Sequence, residues 1–113
     1  MEWHRNRFEV ICDKTNADII AIESIPCLTE VRAILRLLHT RPDARVWITM
    51  TLENGAYTKS GESFDEFIED IERLDKLGQV EAIGMSCSSH NFVPEAIRKI
   101  RHQTSRPIIV YPN

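Results

Sequence analysis

Short apolar runs alternate with longer stretches in which apolar residues return every three or four positions, and the alternation repeats four times along the chain. Residues 2–14 set Phe8, Val10, Ile11 and Cys12 among Arg, Asn, Glu and Asp, a helical pattern ending before Asn16. The run Asp18-Ile19-Ile20-Ala21-Ile22-Glu23 predicts a buried strand, after which Ser24-Ile25-Pro26 turns the chain. Residues 29–39 place Val31, Ile34, Leu35, Leu37 and Leu38 at helical spacing, and Pro42 follows shortly. A second strand, residues 46–52, is rich in β-branched and aromatic side chains.

Residues 53–62 contain Asn54-Gly55 and Ser60-Gly61, turn chemistry at both ends of a loop. Ser63-Phe64-Asp65-Glu66 then reads as a capping box, with Ser63 accepting from the amide three residues on and Glu66 reaching back. Phe64, Phe67, Ile68, Ile71, Leu74 and Leu77 make one apolar stripe, and Gly78 suits a left-handed residue after the last turn. A third strand covers residues 80–85. Pro94 opens a helix continued by Ile97, Ile100 and Arg101, and residues 107–111 give a fourth strand. The order is αβαβαβαβ. Near-continuous apolar strands joined by amphipathic helices predict an α/β fold of parallel (β/α) units, because each crossover must return along the same side of the sheet.

Composition narrows the function. The chain has 113 residues, 42% hydrophobic and 27% charged, with no Pro/Gly/Ser-rich linker or charge block, so residues 1–113 read as one unit. Its net charge of −3 and the lack of a basic run argue against nucleic acid or an anionic membrane as partner. No stretch reaches the ~18 apolar residues of a membrane span, and the first five residues lack the build of a secretion signal. A cytoplasmic location is expected. Cys12, Cys27 and Cys87 are an odd set at unequal spacings, which reads as thiols and not as a disulfide framework.

In parallel α/β folds ligands meet the carboxyl ends of the strands. That rule selects Glu23, then Thr51 and Glu53, then Ser86 and Cys87, then Asn113. Glu23 is a carboxylate set directly against a buried strand, which is costly unless it is paired. It either binds loop amides or an Arg of its own fold, lies in solvent, or holds a substrate ammonium. Cys87 follows Gly84-Met85-Ser86 and precedes two serines; it is either an inert semi-buried thiol or a ligand at a mouth. Its Cys-x-x-His spacing to His90 is by itself a weak zinc signal, since no second pair stands at finger-like spacing. Cys12 and Cys27 read as packing residues, His4, His39 and His102 as solvated, and Trp3 and Trp47 as filling or covering core. No phosphate loop, dinucleotide fingerprint or nucleophile elbow is present.

At Asp18-Ile-Ile-Ala-Ile-Glu23-Ser24-Ile25-Pro26, at Ala82-Ile-Gly84-Met-Ser-Cys87 and at Arg106-Pro107-Ile-Ile-Val-Tyr111-Pro112-Asn113, the chain resembles the homocysteine S-methyltransferase family. Trp3-His4-Arg5-Asn6-Arg7 and Gly61-Glu62-Ser63 extend the likeness over essentially the whole length. The resemblance implies about half of an eight-stranded (β/α) barrel and a zinc enzyme that methylates homocysteine to methionine. It matches Glu23 to the glutamate that holds the homocysteine amino group, and Cys87 to the first of three zinc-binding cysteines. The other two, an adjacent pair in a glycine-rich motif, have no counterpart in residues 1–113, and Cys12 and Cys27 do not match them. The implied chemistry is a homocysteine thiolate, activated on zinc, that attacks a sulfonium donor such as S-methylmethionine or S-adenosylmethionine. Ser86 stands where the family usually has Asn.

With one thiol of a three-ligand site, the isolated chain is expected to be inactive. Its open sheet edges are expected to favour self-association. The alternative is a small non-catalytic binding or interaction module that keeps the scaffold.

Overall fold

Four apolar runs pair into one parallel sheet in the order in which they occur along the chain. The computed structural model describes residues 19–54, 56–58 and 60–112. The helix expected over residues 2–14, with Trp3, His4 and Cys12, lies outside them, as does Asn113. The elements are β1 (Ile20–Ile25), α1 (Leu28–His39), β2 (Val46–Met50), α2 (Phe64–Leu74), β3 (Val80–Ser88), a 3-10 turn (His90–Phe92), α3 (Val93–Gln103) and β4 (Ile108–Pro112). All three strand pairs are parallel. Sequential order with right-handed crossovers sets every helix on one side of the sheet.

The expected parallel (β/α) units are therefore present, and the core lies between helices and sheet. Val46, Ile48 and Met50 of β2 and Ile83 and Met85 of β3 share a buried cluster with Leu28, Val31, Leu35 and Leu38 of α1 and Phe64, Phe67, Ile68 and Ile71 of α2. Because strand side chains alternate, Trp47, Thr49 and Ser86 occupy the opposite face. Gly84 lies on that face too. A Cβ there would sit 1.6 Å from the carbonyl oxygen of Ile109, so no larger residue fits between β3 and β4.

Local chemistry departs from the sequence pattern at several helix ends. Ser63 does cap α2, but its hydroxyl accepts from the amide of Asp65, two residues on. Glu66 does not close a capping box. It faces Arg32 of α1 at 3.8 Å, so an interhelical charge outcompetes the local bond. The apolar stripe of α2 also stops at Leu74. Asp75 ends the helix, which leaves Leu77 59% exposed, and Gly78 takes a left-handed φ of 69° in the following turn. In α3 the buried face is Ala96 and Ile100, with Ile97 turned outward.

Charged pairs join the helices outside the core. Asp70, nearly buried, accepts from Nε of Arg32 at 2.7 Å and from Arg73 at 2.8 Å. The hydrogen bond to Asp70, and after it the Asp70 charge, raises the Arg32 pKa above its ordinary value. Asp65 of α2 takes Lys99 at 3.3 Å and Gln103 at 2.8 Å, tying α2 to α3.

The amino end of the sheet is knotted by three polar side chains. Asp75 accepts from the amides of Gln79 (2.8 Å) and Val80 (2.9 Å) and from Arg106 (2.8 Å), which also donates to the Val80 carbonyl at 2.7 Å. The Gln79 side-chain amide lies within bonding distance of the carbonyls of Leu38, Arg41 and Ala44. The starts of β2, β3 and β4 are thereby fastened to one another.

Candidate active site at the carboxyl end of the sheet

Two strands run further than the sequence pattern indicates, and both extensions fall on candidate residues. β1 continues through Ser24 and Ile25, so Glu23 lies inside the strand and not at its exit. Ile25 is buried, and its carbonyl accepts from the Thr51 amide at 3.0 Å, which carries the pairing beyond the expected turn. β3 likewise runs to Ser88, with Ser86 opposite Tyr111 and Ser88 opposite Pro112, so Ser86 and Cys87 are strand residues.

The register of β1 slips between Ile22 and Ile25, across Glu23 and Ser24. Ile22 pairs with Ile48 and Ile25 with Met50, so three steps on β1 face two on β2 and one residue is extra between them. A bulge of this kind bends the strand and re-aims the side chain at it. The Glu23 carboxylate is exposed, and its Oε1 accepts from the indole Nε1 of Trp47 at 3.0 Å. Of the alternatives open at the sequence level, neither an Arg nor a loop amide holds it among the described residues. An indole does.

Trp47 therefore has a polar duty besides covering the sheet. Beside it on β2, the Thr49 hydroxyl meets the Ser86 hydroxyl of β3 at 2.6 Å, both residues fully or almost fully buried. Ser86 thus spends hydrogen-bonding capacity within the sheet, directly before Cys87. Cys87 is the penultimate residue of β3; its side chain lies outside the described set. His90 follows on the exposed 3-10 turn, whose start is capped by Ser89 accepting from the Asn91 amide.

The rim around Glu23 is built by a second loop. Leu52 and Thr58, and Tyr57 and Ser63, form antiparallel bridges that fold residues 52–63 back on themselves. Its Glu62 reaches across to α1, where Oε1 accepts from the Leu28 amide at 2.8 Å, while Ser60 donates its amide to the Pro26 carbonyl at 3.2 Å. Cys27, at the start of α1, is half-buried and makes no capping bond through its side chain. A long-range carboxylate takes over that task. Of the other strand-exit positions, Thr51 serves this ladder and Glu53 donates its amide to Tyr57 within the loop.

Sequence reasoning did not identify Trp47 or Glu62 as site residues. The sequence held one signal for Glu62: Pro26-Cys27-Leu28 offers no Ser, Thr, Asp or Asn to cap the helix. For Trp47 there was none, since its partner stands 24 residues away.

Glu23 and Cys87 thus stand at the same end of the sheet on strands separated by β2. Two strand spacings across and three residues along put their Cα atoms roughly 14 Å apart. No group of three or more His, Cys, Asp or Glu among the described residues is arranged to hold a metal ion.

Parallel βα units with polar side chains gathered at the carboxyl ends of the strands define an α/β domain of the kind whose ligands bind at that end. The chain belongs to the homocysteine S-methyltransferase family, whose model matches residues 1–113. It is 36% identical to homocysteine S-methyltransferase YbgG of Bacillus subtilis over 113 residues, which are 100% of this chain and 35% of that protein. The apo structure of the homocysteine methyltransferase MmuM of Escherichia coli superposes with a TM-score of 0.89 at 29% identity, covering 99% of this chain and 42% of MmuM. The metallated form of MmuM superposes with a TM-score of 0.87 at 30% identity, over 97% of this chain and 37% of that structure. The chain spans about a third of the length of the curated relatives it matches. No helix among the described residues is long and apolar enough to cross a membrane.

Proposed function

We propose that residues 1–113 are part of a methyltransferase that moves a methyl group from a sulfonium donor to homocysteine, forming methionine, on an eight-stranded (β/α) barrel of which β1 to β4 are about half. The observation that carries this reading is the family match over the whole chain, with Glu23 and Cys87 at one end of one sheet. In this reading the Glu23 carboxylate takes the homocysteine ammonium. Cys87 supplies one thiolate to a zinc ion whose other ligands come from outside residues 1–113; the existence of MmuM in a metallated form supports a metal at this site. A charged sulfur is the donor expected because a methyl group leaves it easily, and S-methylmethionine and S-adenosylmethionine are the two candidates to assay. Three cysteines without a disulfide pattern suit a reducing compartment, which favours the cytoplasm.

Residues 1–113 by themselves are expected to bind little zinc and to be inactive. The test compares the 113-residue chain with a chimaera in which it replaces the matching segment of MmuM. Zinc content and homocysteine-dependent methyl transfer are measured on both. Zinc and turnover in the chimaera alone support the proposal. Equal zinc in both proteins, or turnover by the short chain, contradicts it.

The short chain has a second property worth testing. β1 and β4 carry no partner on their outer sides among the described residues, and Tyr111 on β4 is 47% exposed. Unpaired strand edges template further pairing. The 113-residue chain is expected to self-associate, and the chimaera not to, as read by sedimentation velocity.

A further inference from the structure

We propose that Trp47 is the positioning residue for the ammonium-binding carboxylate: its indole N–H fixes Glu23 so that one carboxylate oxygen is presented to the substrate. The inference rests on the role proposed above for Glu23, and it is carried by the geometry around the bulge. Glu23 lies in the stretch where β1 slips register and is exposed, conditions that leave a glutamate side chain free among many rotamers. Among the described residues one hydrogen bond restrains it, the 3.0 Å bond from Trp47 Nε1 to Oε1. Oε2 has no hydrogen-bond partner among the described residues.

The donor is itself well anchored. Trp47 sits on β2, which is paired on both sides, and its neighbours Val46 and Ile48 are fully buried. Ala21, two residues before Glu23, is its register partner, so the indole bridges diagonally to the next same-face position. The chemistry of the donor matters as much as its place. An Arg or Lys there would form an ion pair and compete with a substrate ammonium for the same charge. An indole N–H donates only and carries no charge, so it orients the carboxylate and leaves its negative charge to the ligand. Glu23 is in no ion pair among the described residues, which is the state this role requires.

The test is a cycle of Trp47→Phe, Glu23→Gln and the double variant in the chimaera, with two methyl acceptors: homocysteine and 4-mercaptobutanoate, which lacks the amino group. Trp47→Phe keeps an aromatic ring and removes the N–H. It is expected to raise KM for homocysteine about five- to tenfold, with kcat and zinc content unchanged and KM for 4-mercaptobutanoate unmoved. In the Glu23→Gln background it is expected to add little. Equal losses for both acceptors, or full additivity in the double variant, would assign Trp47 to packing or direct contact and overturn the proposal. If Glu23→Gln raises the homocysteine KM while Trp47→Phe is neutral, only the positioning role falls. An unchanged KM in Glu23→Gln removes the role of Glu23, and that of Trp47 with it. Independently of catalysis, the Trp47 indole N–H resonance of the 113-residue chain, assigned by its loss in Trp47→Phe, is expected to shift in Glu23→Gln. A resonance that does not move would show that the bond is absent in solution and overturn the proposal.

Discussion

The two ends of the sheet use polar side chains in opposite ways. At the amino end, Asp75, Gln79 and Arg106 are spent on one another and on backbone groups: Asp75 alone collects two amides and a guanidinium while its side chain is 3% exposed. At the carboxyl end Glu23 is exposed, and among the described residues a single neutral donor holds it. A carboxylate enclosed by its own fold has no charge to offer a ligand, whereas one held by an indole keeps it. The difference separates the end that fastens the units together from the end that has capacity left for chemistry.

Substitutions that break the closed end should cost the most. Asp75→Ala strips a partner from a half-buried guanidinium and from two buried amides at once, and is expected to lower stability by about 3–5 kcal/mol, measured by urea denaturation. A loss under 1 kcal/mol would mean that the amino end is not the fastener described. The rim should sit in between. Glu62→Ala removes the acceptor that caps α1 and is expected to cost about 1 kcal/mol, with Glu62→Gln recovering most of it. Equal losses in the two variants would show that the charge, not the capping oxygen, carries the effect. At the open end, Glu23→Gln is expected to change stability by no more than about 0.5 kcal/mol, because the group is exposed and makes one bond among the described residues. A large loss there would turn Glu23 into a structural residue and erase the contrast.

The fold behind this contrast was largely legible in the sequence, but the amino-end cluster of Asp75, Gln79 and Arg106 was not. The four strands and three described helices follow from the alternation of apolar runs with helical stripes, and Glu23 and Cys87 stand out as candidate residues near strand ends. The ends of elements were harder. Ile25 and Ser86 extend their strands because neighbouring strands offer ladder partners, which lie too far along the chain for local pattern to register. Leu77 fits the apolar stripe of α2 by spacing, yet Asp75 stops the helix first by turning its carboxylate to the amides of Gln79 and Val80 at the start of β3. Glu66 fits a capping box, yet Arg32 lies across from it. The two rim residues that matter most, Trp47 and Glu62, act on groups 24 and 34 positions away. Both tasks exist only once β1, β2 and α1 are assembled.

The proposed function divides labour at the open end, an acid for the substrate and a sulfur for the metal. Its most direct test sets Glu23→Ala beside Cys87→Ala in the chimaera and measures bound zinc and homocysteine affinity on each. Glu23→Ala should retain zinc and lose affinity, and Cys87→Ala should lose zinc. Zinc retained without Cys87, or homocysteine bound as tightly without Glu23, would overturn that division.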